Sequence, residues 1–233
     1  MTRDNYLAEL SKSYSLVSVL STNNNCKVLR MRNKANGRDI VVRSMSEGVA
    51  AYGFLYRIKH KNLPAVYDII NLADGQIVFE EYIDGLTIAQ IMETGPYRKG
   101  GAQKVAKEIC HALYLLHLNG IVHRDIKPEN VMVDNNGRVV LIDFNASRQV
   151  SNAGKDTVIM GTIGYASPEQ LGISQSDART DIYAMGVLLN VMVTGKHPSE
   201  RIARGRVGKI VRKCTNVNPS DRYQSAKKLY EAL

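Results

Sequence analysis

The segment that decides the fold is His123-Arg-Asp-Ile-Lys-Pro-Glu-Asn130, and Asp143-Phe-Asn145 begins thirteen residues after its end. Both segments concentrate polar side chains in a few residues. Between them, residues 131–133 and 139–142 are apolar and rich in β-branched side chains, and Asn135-Asn-Gly137 is a turn sequence. The pattern therefore predicts a short hairpin between two polar loops.

Three further blocks follow: Gly161-Thr-Ile-Gly-Tyr-Ala-Ser-Pro-Glu169, Asp181-Ile-Tyr-Ala-Met-Gly186 and Asn218-Pro-Ser-Asp-Arg222. The five blocks resemble the catalytic loop, metal-binding segment, substrate-docking loop, central helix and late arginine segment of the protein kinases. The overall resemblance is to bacterial members of the eukaryotic-type serine/threonine kinases. The docking segment resembles that of enzymes with protein substrates rather than that of small-molecule kinases.

Phosphoryl transfer needs little covalent chemistry from the protein and much positioning of charge. Asp125 can accept a hydrogen bond from the substrate hydroxyl, and Lys127 would reach the transferred phosphate. Asn130 and Asp143 supply the hard oxygen ligands that Mg²⁺ prefers. The resemblance therefore implies a serine/threonine protein kinase that uses ATP and Mg²⁺, with these four residues as its catalytic and metal-binding groups.

The whole chain predicts an α+β, protein-kinase-like fold with two lobes. Residues 1–83 are expected to form a small antiparallel β-sheet lobe, with strands near 14–20, 26–32, 40–42, 66–70 and 76–82 and one helix within 45–60. Residues 84–233 are expected to form a larger, mainly helical lobe. Its main helices are an amphipathic one over 102–116 and an apolar, buried one over 181–194.

Other residues are expected to support the loops rather than react. Asp181 resembles the acid that holds the backbone amides of the catalytic loop, and its alternative role is a helix N-cap. Glu169 and Arg222 resemble a buried ion pair of the family. Arg124 resembles the arginine that receives a phosphorylated activation-loop residue, and Thr157 is the predicted phosphosite, with an ordinary loop threonine as the alternative.

The N-terminal lobe departs from the family pattern. Ser21, Asn23 and Cys26 stand where the phosphate-covering loop has glycines, which restricts the approach of the backbone to phosphates. Arg43 replaces the phosphate-positioning lysine and keeps its charge on a bulkier, planar group. Ala51 takes the place of the helix glutamate that pairs with that lysine. These departures put nucleotide affinity and rate in question, but not the fold.

Glu80 falls at the gatekeeper position, which is usually apolar. We predict that it replaces the absent helix glutamate and forms an ion pair with Arg43, because a buried cation needs a carboxylate partner. Glu47 is the alternative partner, and the alternative for Glu80 is a side chain that points into solvent.

The resemblance also implies how the base of ATP would be held in a cleft between the lobes. Val28 and Val41 should cover the adenine ring, and the backbone at Glu81 and Ile83 should hydrogen-bond its edge.

Composition and charge limit the classes of binding partner and the cellular location that the sequence predicts. The formal net charge of +9 favours anionic ones, but no basic stripe interleaved with aromatic residues is present, so nucleic acid is not expected. No apolar stretch reaches the roughly 20 residues of a membrane span. Three distant cysteines without paired spacing indicate a reducing, cytoplasmic location. His111 and His117, on the amphipathic helix, are interpreted as packing or surface residues.

Two functional classes remain. The first is an active serine/threonine kinase that binds a nucleotide and a protein substrate. The second is a pseudokinase, a binding or scaffolding module with weak or no turnover. Retention of Asp125, Lys127, Asn130 and Asp143 favours the enzyme.

Overall fold

The computed structural model describes residues 1–149, 162, 164–171 and 176–233. These residues divide into two units, Met1–Ile83 and Asp84–Leu233. The first is built mainly of strands and the second mainly of helices, so the predicted α+β class is confirmed. Thr157, the predicted phosphosite, lies outside the described residues.

A five-stranded antiparallel sheet forms the first unit. Its strands are β1 (Tyr14–Thr22), β2 (Cys26–Asn33), β3 (Asp39–Met45), β4 (Val66–Leu72) and β5 (Gly75–Glu81), in the order β1-β2-β3-β5-β4. Alternate residues of a strand face opposite sides of a sheet. One side carries an apolar cluster of Leu29, Met31, Ile40, Val42, Ile77 and Phe79. The residues that alternate with these along the strands, including Arg43 and Glu80, face the other side of the sheet.

Two helices of this unit differ from the prediction. Helix α1 (Arg3–Leu10) was not predicted, and it packs Tyr6, Leu7 and Leu10 against the apolar cluster. Helix α2 (Ala50–Leu55) is much shorter than the predicted range 45–60. Gly48, two residues before the helix, disfavours an earlier start, because glycine lowers helix propensity by about 1 kcal/mol relative to alanine.

The second unit contains helices α3 (Ile88–Met92), α4 (Lys99–Leu118), α5 (Ala178–Thr194), α6 (Gly205–Cys214) and α7 (Ala226–Ala232). Strands β6 (Gly85–Thr87), β8 (Val131–Asp134) and β9 (Val139–Leu141) form one small sheet, and β7 (Ile121–Val122) pairs with β10 (Arg148–Gln149). The hairpin β8–β9 is the predicted one. It carries Asn130 just before β8 and Asp143 just after β9.

Helix α5 forms the centre of this unit. Most of its residues are buried, and it ends at Gly195, whose φ of 69° is the left-handed conformation that glycine adopts without strain. It begins three residues earlier than predicted, at Ala178, with the Asp177 side chain accepting a hydrogen bond from the Arg179 amide. Among the helices of the described residues, none is long and apolar enough to cross a bilayer.

Candidate active site

Asp125 is the centre of a hydrogen-bond network. Its Oδ1 accepts from Thr162 Oγ1 at 2.7 Å, and its Oδ2 accepts from Asn130 Nδ2 at 2.9 Å and lies 2.8 Å from Lys127 Nζ. Lys127 Nζ also donates to Thr162 Oγ1 at 2.7 Å. Burial raises the pKa of Asp125, but the bonds from Lys127 and Thr162 outweigh it, so the net pKa is lowered and the carboxylate stays ionised.

Thr162 is a member of this network that the sequence did not single out. It belongs to the predicted docking segment, 37 residues after Asp125, and its hydroxyl bridges Lys127 and Asp125. In the sequence, Thr162 was indicated only as part of the Gly161-Thr162 pair that begins the docking segment. The contact places the start of the docking segment directly beside the predicted base.

Asp181 holds the backbone of the catalytic loop, as predicted. Its carboxylate is fully buried and accepts hydrogen bonds from the backbone amides of His123 at 2.9 Å and Arg124 at 2.8 Å. The alternative role as an N-cap is wrong, because Asp177 caps α5. Burial raises the pKa of Asp181, but the bonds to its two oxygens reverse this, and the net pKa is lowered.

The interpretation of His117 as a packing or surface residue misses a carboxylate partner. Its Nε2 donates to Asp181 Oδ2 at 2.8 Å, although 64 residues separate the two. The contact arises because the end of α4 lies against the start of α5, which periodicity along one helix cannot predict. His111, by contrast, packs against the ring of Tyr230 with centroids 4.8 Å apart, which agrees with a packing role.

His123 connects the two polar loops. Its Nε2 donates to the Ile142 carbonyl at 3.2 Å, and its Nδ1 accepts from the Asp125 amide at 3.4 Å. Burial lowers the pKa of His123, which keeps the ring neutral, so that one ring nitrogen can donate a hydrogen bond while the other accepts one. The ring of Phe144 stacks edge-on at 4.9 Å between centroids. His123 therefore holds the predicted base and the predicted metal-binding segment in one arrangement.

Two residues of these loops have a left-handed backbone. Arg124 has a φ of 68° and Asp143 a φ of 65°. Such a conformation is unfavourable for residues other than glycine and persists where surrounding contacts impose it. At Arg124 the contacts are visible: Asp181 binds its amide, and Gln170 Nε2 donates to its carbonyl at 2.8 Å.

Asn130 and Asp143 offer a donor set that fits Mg²⁺. Asn130 Nδ2 donates to both the carbonyl and the Oδ2 of Asp125, so its amide oxygen is the atom left to act as a ligand. Asp143 adds a carboxylate at the end of β9. Mg²⁺ typically binds one or two protein oxygens together with substrate phosphates and waters. The two residues meet that requirement.

The predicted Arg43–Glu80 ion pair is present. Arg43 Nε lies 2.5 Å from Glu80 Oε1, with side chains only 6% and 4% exposed. Strand β5 pairs with β3 so that Val41 is opposite Glu80, which brings the carboxylate within reach of Arg43 two residues along on the same face. Glu47, the alternative partner, is exposed, and Ala51 is buried in α2.

The turn between β1 and β2 replaces the phosphate-covering loop. Asn23 closes it: its Oδ1 accepts from the amides of Asn25 at 2.9 Å and Cys26 at 2.8 Å. Its own amide donates to the Cys26 carbonyl at 2.9 Å. In a glycine-rich loop, backbone amides of this kind are the groups that bind phosphate. Here the Asn23 side chain already occupies two of them.

The residues predicted to contact adenine belong to the first unit. Val28 on β2 and Val41 on β3 are both buried, as is Ile83. The Glu81 amide donates to the Ala65 carbonyl at 2.8 Å, and Glu81 Oε2 accepts from the Ala65 amide at 3.1 Å. An adenine contact from Glu81 would therefore use its carbonyl.

The predicted buried ion pair of the second unit is present. Arg222 donates to the two oxygens of Glu169 at 2.6 and 2.9 Å, and the Arg222 side chain is fully buried. Arg222 also binds the carbonyls of Asn216, Val217 and Arg179. Burial raises the pKa of Glu169, but the bonds from Arg222 outweigh it and the net pKa is lowered. The pair ties the docking segment to α5 and to the 3₁₀ turn Pro219–Asp221.

Comparison with known proteins agrees with this geometry. A family model described as "Protein kinase domain" matches residues 25–232. The serine/threonine-protein kinase PknB of Mycolicibacterium smegmatis is 31% identical over 81% of the chain, and that of Mycobacterium tuberculosis strain H37Rv is 31% identical over 82%. A probable PknB of Lactococcus lactis is 32% identical over 74%. The matched regions cover 33%, 34% and 27% of these relatives, so the chain spans about a third of their length.

Proposed function

The chain belongs to the protein kinase family, and we propose that it transfers the γ-phosphate of ATP to serine or threonine hydroxyls of a protein. The resemblance to bacterial serine/threonine kinases is confirmed, and the relatives favour the enzyme over the pseudokinase. The observation that carries the proposal is the network in which Lys127 and Thr162 flank the Asp125 carboxylate.

Asp125 orients the acceptor. Its ionised carboxylate accepts a hydrogen bond from the substrate hydroxyl and takes up the proton as the hydroxyl oxygen attacks. Lys127 stabilises negative charge on the phosphoryl group in transfer, because its ammonium lies beside the carboxylate that holds the attacking oxygen. Thr162 and Asn130 keep the carboxylate in place through bonds to each of its oxygens.

Protein kinases generally use ATP and Mg²⁺, and we assign their contacts in each unit separately. In the second unit, the Asn130 amide oxygen and the Asp143 carboxylate would hold Mg²⁺, which would neutralise charge on the phosphates. In the first unit, Arg43 takes the place of the phosphate-positioning lysine and Glu80 that of the helix glutamate. Val28, Val41, Glu81 and Ile83 hold the adenine.

Activation by phosphorylation forms part of the same proposal. Arg124 is buried, and burial together with the charge of Arg148 lowers its pKa, whereas the charge of Asp181 opposes this. A phosphate on Thr157 would add about two negative charges that this basic pair can receive. The predicted cytoplasmic location stays a prediction.

The test is transfer of radiolabelled phosphate from ATP to protein and peptide acceptors in the presence of Mg²⁺. The wild-type chain should label serine or threonine, and Asp125→Asn should reduce the rate by a factor of 10² or more. A thermal-shift titration with ATP and Mg²⁺ on both proteins shows whether nucleotide binding is retained. Binding without labelling above the Asp125→Asn background would establish the pseudokinase instead.

A further inference from the structure

A cluster of cations lies outside the catalytic network. The segment from residue 201 to 214 contains six basic residues and neither acid nor aromatic residue. All six are exposed. We call them the basic surface: Arg201, Arg204, Arg206, Lys209, Arg212 and Lys213. Together they supply six positive charges in a chain whose formal net charge is +9.

Four of these cations lie on helix α6, on the side that faces away from the core. At about 100° per residue, its four basic side chains fall within an arc of about 120°. The opposite side is buried, with Val207, Gly208, Ile210, Val211 and Cys214. The exposed face of the helix therefore presents charge and no apolar group.

Helix stability does not account for the charges at the start of α6. Cations near a helix N-terminus oppose the helix dipole, and the first turn of α6 contains no acid. Arg206 has a structural contact, because it donates to the Ala232 carbonyl at 2.9 Å, and Lys213 lies 4.6 Å from the ring centre of Tyr223. Arg201, Arg204, Lys209 and Arg212 make no ion pair among the described residues.

The loop before α6 is fixed rather than loose. Asn190, fully buried in α5, donates to the carbonyls of Lys196 at 2.8 Å and Arg201 at 2.7 Å and accepts from the Ala203 amide at 2.8 Å. A buried amide with three partners holds the loop in one conformation. Arg201 and Arg204 are therefore presented on a preorganised support, which lowers the entropic cost of binding.

The same loop is joined to the docking segment. His197 Nε2 donates to the Gly164 carbonyl at 2.8 Å, and the Arg201 amide donates to the His197 carbonyl at 3.0 Å. Gly164 is two residues from Thr162, which contacts both Lys127 and Asp125. The basic surface thus continues from the segment that contacts the predicted base.

We infer that the basic surface docks an acidic segment of the protein substrate. This inference rests on the proposed function and adds the chemical class of the substrate to it. Continuity with the docking segment favours a substrate protein. Residues 201–214 contain no aromatic ring on which bases could stack, and the Tyr223 ring beside this segment lies under the Lys213 ammonium. The exposed side chains of the segment are all basic, so it offers no exposed apolar side chain to a lipid surface. Both features disfavour nucleic acid and membranes.

The experiment compares two variants with the same change in net charge. The first replaces Arg201, Arg204, Lys209 and Arg212 with Gln, which leaves the structural contacts of Arg206 and Lys213 intact. The control replaces Arg98, Lys99, Lys104 and Lys227 with Gln, which are exposed cations elsewhere in the same unit. Each variant removes four of the nine net charges.

Binding is measured first, without ATP, so that it does not depend on turnover. A fluorescent peptide with six glutamates and an alanine in place of the acceptor serine is titrated by anisotropy at 50 mM salt. The wild-type chain and the control should bind it about tenfold more tightly than the surface variant. At 500 mM salt the difference should largely disappear.

Turnover is measured second, on serine peptides with six glutamates or six glutamines. The wild-type chain should show a lower KM for the acidic peptide with kcat unchanged, and the surface variant should lose that preference. If the wild-type chain, the surface variant and the control bind the acidic peptide equally well, the docking inference is overturned, even if phosphate transfer is observed. Tighter binding of a single-stranded oligonucleotide or of vesicles with anionic lipid than of the acidic peptide also overturns it. Absence of transfer with selective peptide binding overturns the proposed function alone.

Discussion

The two units of the chain have diverged from the family pattern to different degrees. In the second unit, Asp125, Lys127, Asn130 and Asp143 are all retained, and Asp181 holds the catalytic loop by bonds to two backbone amides. In the first unit, the residues expected to hold ATP have changed. The contrast indicates that the residues proposed for phosphoryl transfer match the family pattern, whereas the residues proposed to hold the nucleotide depart from it.

The departures in the first unit follow a physical rule. When the helix position became Ala51, the cation of β3 lost its usual carboxylate, and a buried cation without a partner is costly. The structure supplies Glu80 instead, on the neighbouring strand and at 2.5 Å. Such a pair can hold the Arg43 guanidinium in place. Its carboxylate partner lies on strand β5, whereas the family's glutamate lies on a helix.

The largest effect should come from Asp181 in the second unit. Asp181→Asn replaces an acceptor-only carboxylate that has three donors with an amide that can satisfy fewer of them. We expect a loss of about 3 kcal/mol in the free energy of unfolding, or roughly 6–12 °C in Tm. Differential scanning calorimetry measures this. His117→Ala should cost less, and the double variant should be less than additive; a Tm loss under about 2 °C for Asp181→Asn would contradict this account of the loop.

The ion pair of the first unit should matter next. Glu80→Gln and Arg43→Met should each weaken ATP binding about tenfold, because each leaves a buried group without its partner. In the double variant we expect a coupling of about 1–3 kcal/mol. Calorimetric titration with ATP and Mg²⁺ gives the four affinities. Simple additivity would mean that the pair does not act as a unit in nucleotide binding.

The turn at Asn23 offers a smaller and opposite effect. Asn23→Gly releases the amides of Asn25 and Cys26 for phosphate, so ATP should bind about threefold more tightly, at a cost of about 0.5–1 kcal/mol in stability. Asn24→Gly is the matched control, since it adds a glycine to the same turn and leaves Asn23 in place. The same titration measures both, and equal affinity for the two variants would show that the Asn23 side chain does not compete with phosphate.

The smallest effect concerns acid stability of the first unit. The hydrogen bonds from Arg32, together with Arg30, lower the pKa of Asp39 to about 2. A folded-state pKa below the unfolded value of about 3.9 adds stability above that pH, and this stability is lost as pH falls toward 2. Asp39→Asn should therefore lower stability by no more than about 1 kcal/mol at pH 6, and this loss should shrink as pH falls from about 4 through 2. Thermal melts across pH test this against Asp68→Asn, an exposed control; a difference as large at pH 2 as at pH 6 would refute it.

The sequence predicted best what short segments determine. The hairpin β8–β9 and the end of α4 before Asn119-Gly120 follow from local patterns of apolar residues and turn residues, whereas α4 begins three residues before the predicted 102. The Arg43–Glu80 pair could be predicted because strand alternation and the family register place both on one face. The Glu169–Arg222 pair followed from the resemblance of two separate blocks.

What the sequence missed depends on contacts between distant elements. The His117–Asp181 bond requires the crossing of two helices, and Thr162 reaches Asp125 across 37 residues. Helix α1 has a weak pattern of its own and is stabilised by packing on the sheet, as the edge-on contact of Tyr6 with Phe79 shows. The cations of 201–214 are interspersed in sequence with apolar residues and glycines; α6 brings four of them onto one face, and Arg201 and Arg204 lie in the loop before it.

Steady-state kinetics tests most directly whether phosphoryl transfer is intact while ATP binding is weakened. With Mg²⁺ and a saturating acidic serine peptide, the rate is measured over ATP concentrations from micromolar to 10 mM. We predict a kcat within the 1–100 s⁻¹ typical of protein kinases and a KM for ATP at or above about 1 mM, the upper end of the usual range for enzymes. A rate at saturating ATP no higher than that of Asp125→Asn would show that phosphoryl transfer is not intact.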